Sequence, residues 1–260
     1  MPVELPQLLL LLVASIAAGW VDAVIGGGGL VLIPMILIGV PEFSSAQALG
    51  TNKFAAVWGT GSAAVTYLRR VPVNKSFVAW AVPLAAVCSG IGAACAGMLA
   101  DDVLRPIVIV LMVAVGLFVA FRPSFGQGGQ GGGWPAASRG RKLAVLALVA
   151  PIGFYDGIFG PGTGMFLIFA FTALLSQEFL TSAAMAKVVN TATNIGGLVV
   201  FAIGGYINLP LGIALAAANV VGAQFGARTV LNRGTGFIRI ALLILVVVMA
   251  TKLGWDQFSG

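Results

Sequence analysis

Trp20-Val21-Asp22-Ala23-Val24-Ile25-Gly26-Gly27-Gly28-Gly29 has a counterpart at a constant offset of 134 residues, Phe154-Tyr155-Asp156-Gly157-Ile158-Phe159-Gly160-Pro161-Gly162-Thr163. Each copy sets one aspartate in an apolar run and follows it with a stretch that glycine and proline make unfit for continuous helix. The match runs without a gap from Gly19 to about Met98 and from Gly153 to Asn232. It pairs Lys53 with Lys187, Asn74 with Asn208 and Gly92 with Gly226. Biased composition yields paired glycines and valines by chance, but it does not readily pair Asp with Asp and Lys with Lys. The chain is therefore read as two copies of one unit.

The unit belongs in a bilayer. Of the 260 residues 59% are hydrophobic and 8% charged, against roughly 25% charged in a soluble domain. Apolar stretches near the length of a spanning helix lie at about 5 to 39, 44 to 67, 76 to 99, 104 to 121, 143 to 175, 180 to 203, 210 to 230 and 236 to 253. The stretches 5 to 39 and 143 to 175 are too long for one simple span and carry the two breaks. Glu4 precedes the first run and no Lys or Arg does, so the opening segment lacks the basic region of a cleaved signal peptide and is read as a retained span.

Orientation follows from Lys and Arg. Arg69, Arg70 and Lys75 mark the loop near 68 to 76 as cytoplasmic, and Arg122, Arg139, Arg141 and Lys142 do the same for the linker. In the second copy the equivalent loop, Gly204 to Pro210, is uncharged, while the next one collects Arg228, Arg233 and Arg239. Equivalent loops on opposite sides imply inverted topology. The expected fold is an all-α polytopic membrane protein of two inverted-topology repeats, each with a broken or hairpin first segment followed by three transmembrane helices. The expected boundaries are residues 1–121 for the first repeat, 122–141 for a Gly-rich cytoplasmic linker and 142–260 for the second repeat. No Gly-Lys-Ser/Thr follows the linker glycines, so they form a connector rather than a phosphate cradle.

Four ionisable residues fall inside the apolar stretches: Asp22, Lys53, Asp156 and Lys187. Charge at membrane depth is costly, which makes these positions candidates for a substrate or ion pathway. The alternative is that Asp and Lys pair only to hold the hairpin against the next helix, or that the lysines snorkel to an interface. A half-helix restarting at each break points N–H groups and its positive dipole end toward the break, which suits an anion. Lys187, Asn190 and Asn194 share one helical face at i, i+3 and i+7, beside Thr193, and the first copy offers Gln47, Thr51, Asn52 and Lys53. The expected substrate-binding set is Lys53, Lys187, Asn52, Asn190, Asn194, Thr51, Gly28, Gly162 and Thr163. Asp22 and Asp156 are candidates for proton coupling or structural ion pairing. Asn219 and Gln224 are weaker members of the polar set. Gly92, Ala96, Gly222 and Gly226 read as close helix contacts, and Cys88 and Cys95 as packing residues. With no histidine and no second cysteine pair, neither a metal site nor a cofactor is expected. The basic residues of the +6 chain are dispersed, which argues against a nucleic-acid partner.

These motifs, with Gly50-Thr51-Asn52-Lys53, Ala184-Met185-Ala186-Lys187-Val188-Val189-Asn190-Thr191 and Gly222-Ala223-Gln224-Phe225-Gly226-Ala227-Arg228, resemble the TauE/SafE family of sulfite exporters and relatives. The resemblance covers nearly the whole chain apart from the linker. It implies a multi-pass protein of the bacterial inner membrane that exports sulfite, sulfonates or related organosulfur anions. Where the second copy of the family often has Thr-Ser before its lysine, this chain has Met185-Ala186. The expected partners are a small anionic substrate, the lipid bilayer and a second copy of the chain in a homodimer. The expected mechanism is alternating access without catalysis, the substrate lying between the repeats. Expelling a monoanion from a negative cytoplasm is favoured by about 2.3 kcal/mol per 100 mV. A passive anion channel and an importer of a different small anion are the alternatives, ahead of an intramembrane aspartyl protease and a structural scaffold.

Overall fold

The computed structural model describes residues 4–104, 106–110 and 132–233, and the described elements are all helical. Most of the stretch 104 to 121, the glycine-rich centre of the linker and the last span at 236 to 253, with Arg239, lie outside the described residues. The first copy forms α1 (Leu5–Ile25), α2 (Gly29–Gly39), α3 (Ser45–Leu68) and α4 (Lys75–Met98). The second forms α5 (Arg139–Ile158), α6 (Thr163–Leu175), α7 (Phe179–Ile203) and α8 (Leu209–Arg233). Every helix of the second set begins at the repeat equivalent of its partner's first residue. Helix α5 already begins at Arg139, inside the stretch read as linker.

The start sites follow from local chemistry. Ser44 and Gln47 cap α3 reciprocally, Gln47 N–H donating to Ser44 Oγ at 3.2 Å and Ser44 N–H to Gln47 Oε1 at 3.1 Å, a capping box. Asn74 accepts from the N–H groups of Ser76 and Phe77 at the head of α4. Its repeat equivalent Asn208 accepts from Leu211 at the head of α8. The Asn pair that betrayed the repeat thus serves as two N-caps.

Helices α1, α4, α7 and α8 are long and apolar enough to cross a membrane, and α3 and α5, of 24 and 20 residues, have similar lengths with more polar positions. Helices α2 and α6 have only 11 and 13 residues, about 16 and 20 Å at 1.5 Å per residue. A hydrocarbon core of about 30 Å exceeds both. The chain is an all-α polytopic membrane protein, and each opening stretch is broken at its glycines, as expected. Gly26 and Gly160, at equivalent positions, have φ of 82° and 89°, a region that costs other residues roughly 1–2 kcal/mol.

Packing repeats with the sequence. Gly19 of α1 lies against the Asn219 carbonyl of α8, and its equivalent Gly153 of α5 lies against the Ala85 carbonyl of α4. Gly226 meets Trp20 and Gly92 meets Phe154 in the same manner. With Gly222 against Ile16 and Ala96 buried, the small residues singled out in the sequence do sit where helices touch. Contacts between α1 and α8 ascend together, from Ser15 with Leu215 to Trp20 with Gly226. Between the equivalent helices α3 and α7 they run in opposition: Lys53 lies on Gly197, Thr60 meets Asn194 and Gly61 faces Thr191. Helices α3 and α7 are therefore antiparallel at the centre of the molecule.

Candidate functional site

Asp22, Lys53, Asp156 and Lys187 are the only charged side chains buried among the described residues. Each aspartate stands in the last turn before a break, and each lysine lies in the N-terminal half of the central helix that follows. The pairing crosses the repeat. Lys53 of the first half donates to Asp156 Oδ2 of the second. Lys187 of the second half donates to Asp22 Oδ2 of the first at 3.0 Å and also to the Asp22 backbone carbonyl. Both lysines are sealed, at 2% and 0% exposure. In lipid this closure has a plain cause, since an ammonium without a partner there is costly.

The two pairs are joined. Lys53 Nζ donates to Asn194 Oδ1 at 3.3 Å, Asn194 Nδ2 to Thr60 Oγ1 at 3.5 Å, and Thr60 Oγ1 to Asp22 Oδ2 at 2.9 Å. Thr60 and Asn194 are repeat-equivalent and meet where α3 and α7 cross. Thr60 is a residue that reading the sequence by polarity alone missed. Its alignment with Asn194 under the repeat was the signal that would have found it.

The other sequence-derived residues separate into near and far. Asn190 is buried, and its Oδ1 accepts from Thr193 Oγ1 at 3.2 Å. Gly28 packs against the Ala18 carbonyl and the Asp22 Cβ, so it shapes the aspartate's surroundings. Gly162, at φ 82°, caps α6, and Thr163 Oγ1 donates to the Gly160 carbonyl at 2.9 Å. Thr51 faces away: its Oγ1 accepts the Asn208 N–H at 3.1 Å, tying α3 to the start of α8. Asn52 is buried on α3, and Gln47 serves as a cap. Asn219 holds Ser15 across α1 and α8, and Gln224 joins Ser62 and Thr66 across α8 and α3. At the starts of the half-helices the N–H groups of Leu30 and Val31 donate to the Gly27 and Gly28 carbonyls, that of Thr163 to Gly160, and that of Gly164 to the Gly26 carbonyl of the other half. Cys88 and Cys95 are free thiols. Among the described residues no cluster of potential metal ligands forms.

Residues 11–253 match the sequence profile described as Sulfite exporter TauE/SafE. The chain belongs to this family. The TauE/SafE chain is 35% identical over 257 residues to the "Probable membrane transporter protein YfcA" of Escherichia coli (strain K12), covering 97% of this chain and 91% of that one. It is 35% identical over 248 residues to the "Probable membrane transporter protein ORF9" of Sinorhizobium sp, covering 95% and 92%. It is 33% identical over 262 residues to a "Probable membrane transporter protein" of Haemophilus influenzae, covering 99% and 98%. No solved structure matches the chain. It is a multi-pass membrane transporter of the TauE/SafE type, and these relatives are named as transporters.

Proposed function

We propose that this chain is a secondary transporter of the bacterial inner membrane that exports a small sulfur-containing anion, such as sulfite or a sulfonate, by alternating access between its two halves. The observation that carries the reading is the exchange of ion pairs, in which each half contributes the lysine that holds the aspartate at the other half's helix break. Buried cations that are already paired gain little for stability over an apolar core, whereas an anion that competes for them acquires a means of parting the halves. The antiparallel course of α3 and α7 supports an inverted-topology repeat. Two-fold-related halves that can rock about such a contact are the common architecture of secondary transporters. The family's sulfite exporters make sulfite the first substrate to test.

The lysines are closed off in this conformation, a state suited to a carrier between openings rather than to a standing channel. The test is flux of 35S-labelled sulfite from proteoliposomes. The expected result is saturable efflux, accelerated by sulfite or a sulfonate outside and slower for phosphate and lactate. Flux that never saturates would identify a channel, and flux no faster than from protein-free vesicles would refute transport of this anion.

A further inference from the structure

The repeat sets the start of α3 beside the start of α8 at one end of the molecule and the start of α7 beside the start of α4 at the other. Equivalent residues build the two ends differently. At the α3–α8 end Thr51 Oγ1 accepts the Asn208 N–H at 3.1 Å, and Gly50 lies against the Tyr206 carbonyl. Tyr206 packs edge-on to Phe201 and donates its hydroxyl to the Gly97 carbonyl at 3.3 Å. The repeat equivalents of Thr51, Asn208 and Tyr206 are Met185, Asn74 and Pro72. These three line an open cleft of about 630 Å³. The chemistry that locks the first end is missing at the second. A thioether is a weak acceptor, and Met185 Sδ already accepts from Gln177 Nε2 at 2.9 Å. Proline in the place of Tyr206 supplies neither ring nor hydroxyl.

The cleft lies at the basic end. Trp134, buried in its wall, meets Phe77 of α4 edge-on with ring centroids 5.3 Å apart, and Lys142 Nζ stands 5.6 Å from the Trp134 ring. Those contacts bring Arg139, Arg141 and Lys142 at the head of α5 to the same end as Arg69, Arg70 and Lys75 of the α3–α4 connection. Such a gathering of Lys and Arg marks the cytoplasmic face. Met185, a further lining residue, is buried and stands two residues before Lys187 on α7. Gln177 and Thr181 add amide and hydroxyl groups to the lining, and its one carboxylate, Glu178, is exposed.

We infer that this cleft is the cytoplasmic entrance of the transporter, through which the anion approaches Lys187, and that Trp134 is the wall that moves to admit it. This rests on the anion-transport reading above and names the route into it. Amide and hydroxyl donors receive an anion without fixing it, and the ammonium that binds it more firmly lies deeper, on the helix whose start forms part of the lining. Trp134 falls outside both matched stretches, 19 to 98 and 153 to 232, so its displacement leaves the helix contacts shared by the two halves in place. With the α3–α8 end held by Thr51 and Tyr206, the cleft admits the anion from the cytoplasm, the order that export requires.

The test uses the full chain with Cys88→Ala and Cys95→Ala, carrying Thr181→Cys, in right-side-out and inside-out membrane vesicles. The probe is a cationic, membrane-impermeant maleimide, which is not itself a candidate substrate. The expected result is labelling in inside-out vesicles and none in right-side-out ones. After the reagent is washed away, labelled inside-out vesicles lose their uptake of 35S-labelled sulfite, the direction that corresponds to export. Adding Trp134→Ala raises the labelling rate about tenfold, the weight of one ring pair and one cation–π contact. Should Thr181→Cys carry no sulfite before labelling, Val73→Cys, also in the lining, takes its place with the same expectation. Labelling from the outside, labelling from neither side, or complete labelling with undiminished uptake overturns the entrance while leaving transport intact. A labelling rate that Trp134→Ala leaves unchanged or lowers overturns Trp134 as the moving wall. Uptake of neither sulfite nor methanesulfonate by the unlabelled wild-type chain overturns the transport reading itself.

Discussion

Removing one member of a buried ion pair should destabilise the protein, and removing the right partner with it should restore stability. Lys187→Met leaves Asp22 with the Thr60 hydroxyl alone. Stranding one charge of a buried pair costs roughly 3–5 kcal/mol, whereas replacing both members by apolar residues of similar volume is near neutral. For a chain of this size about 1 kcal/mol moves an unfolding midpoint by roughly 2–4 °C, so Lys187→Met should melt about 6–20 °C lower. Lys187→Met with Asp22→Leu should recover most of that loss. Lys187→Met with Asp156→Leu should not, because it strands Asp22 and Lys53 together. The assay is thermal unfolding of detergent-purified variants, followed by loss of the monodisperse peak in size-exclusion chromatography. Equal recovery by Asp22→Leu and Asp156→Leu, or recovery by neither, would refute pairing between the halves.

Three shorter predictions follow from neighbouring contacts. Gly222→Ala drives a methyl group into the Ile16 carbonyl and should abolish a folded peak, whereas Gly61→Ala, with Thr191 Cγ2 at 3.6 Å, should be tolerated; fluorescence-detected chromatography distinguishes them. Thr60→Val keeps the shape but removes a bond to a charged acceptor, worth about 1.5–3 kcal/mol, and a denaturant midpoint that does not fall would show the Thr60 link to Asp22 to be unimportant. In vesicles, an imposed 100 mV should change steady-state methanesulfonate accumulation about 50-fold, the response of a monoanion that crosses alone, and a response below about twofold would show that a compensating charge crosses with it.

Much of the architecture was legible because it is written in local chemistry. Membrane depth follows from composition. The two breaks follow from Gly26 to Gly29 and from Gly160, Pro161 and Gly162, and the repeat from residues that chance does not pair. The match of Asp22 with Asp156 and of Lys53 with Lys187 marked the four charges that are buried among the described residues. Polarity was a weaker guide. Gln47, Thr51 and Asn219 are polar residues in apolar helices, yet they cap a helix, tie a helix start and hold a helix crossing. Thr60, less conspicuous, stands between the two ion pairs.

Periodicity places a side chain on a face of its own helix but does not say which helix that face will meet. From the sequence alone Asp22 could as readily have paired with Lys53 of its own half. The antiparallel contact of α3 and α7 decides otherwise, because it brings the lysine of each half to the break of the other. The same packing sets Gly26 against the backbone of Gly164 and Gly160 against Lys53 and Asp156. The sequence by itself determined a membrane protein of two related halves with a charged centre. Which charges meet was decided only when two chemically similar halves packed against each other, since burial and close approach are properties of the pair.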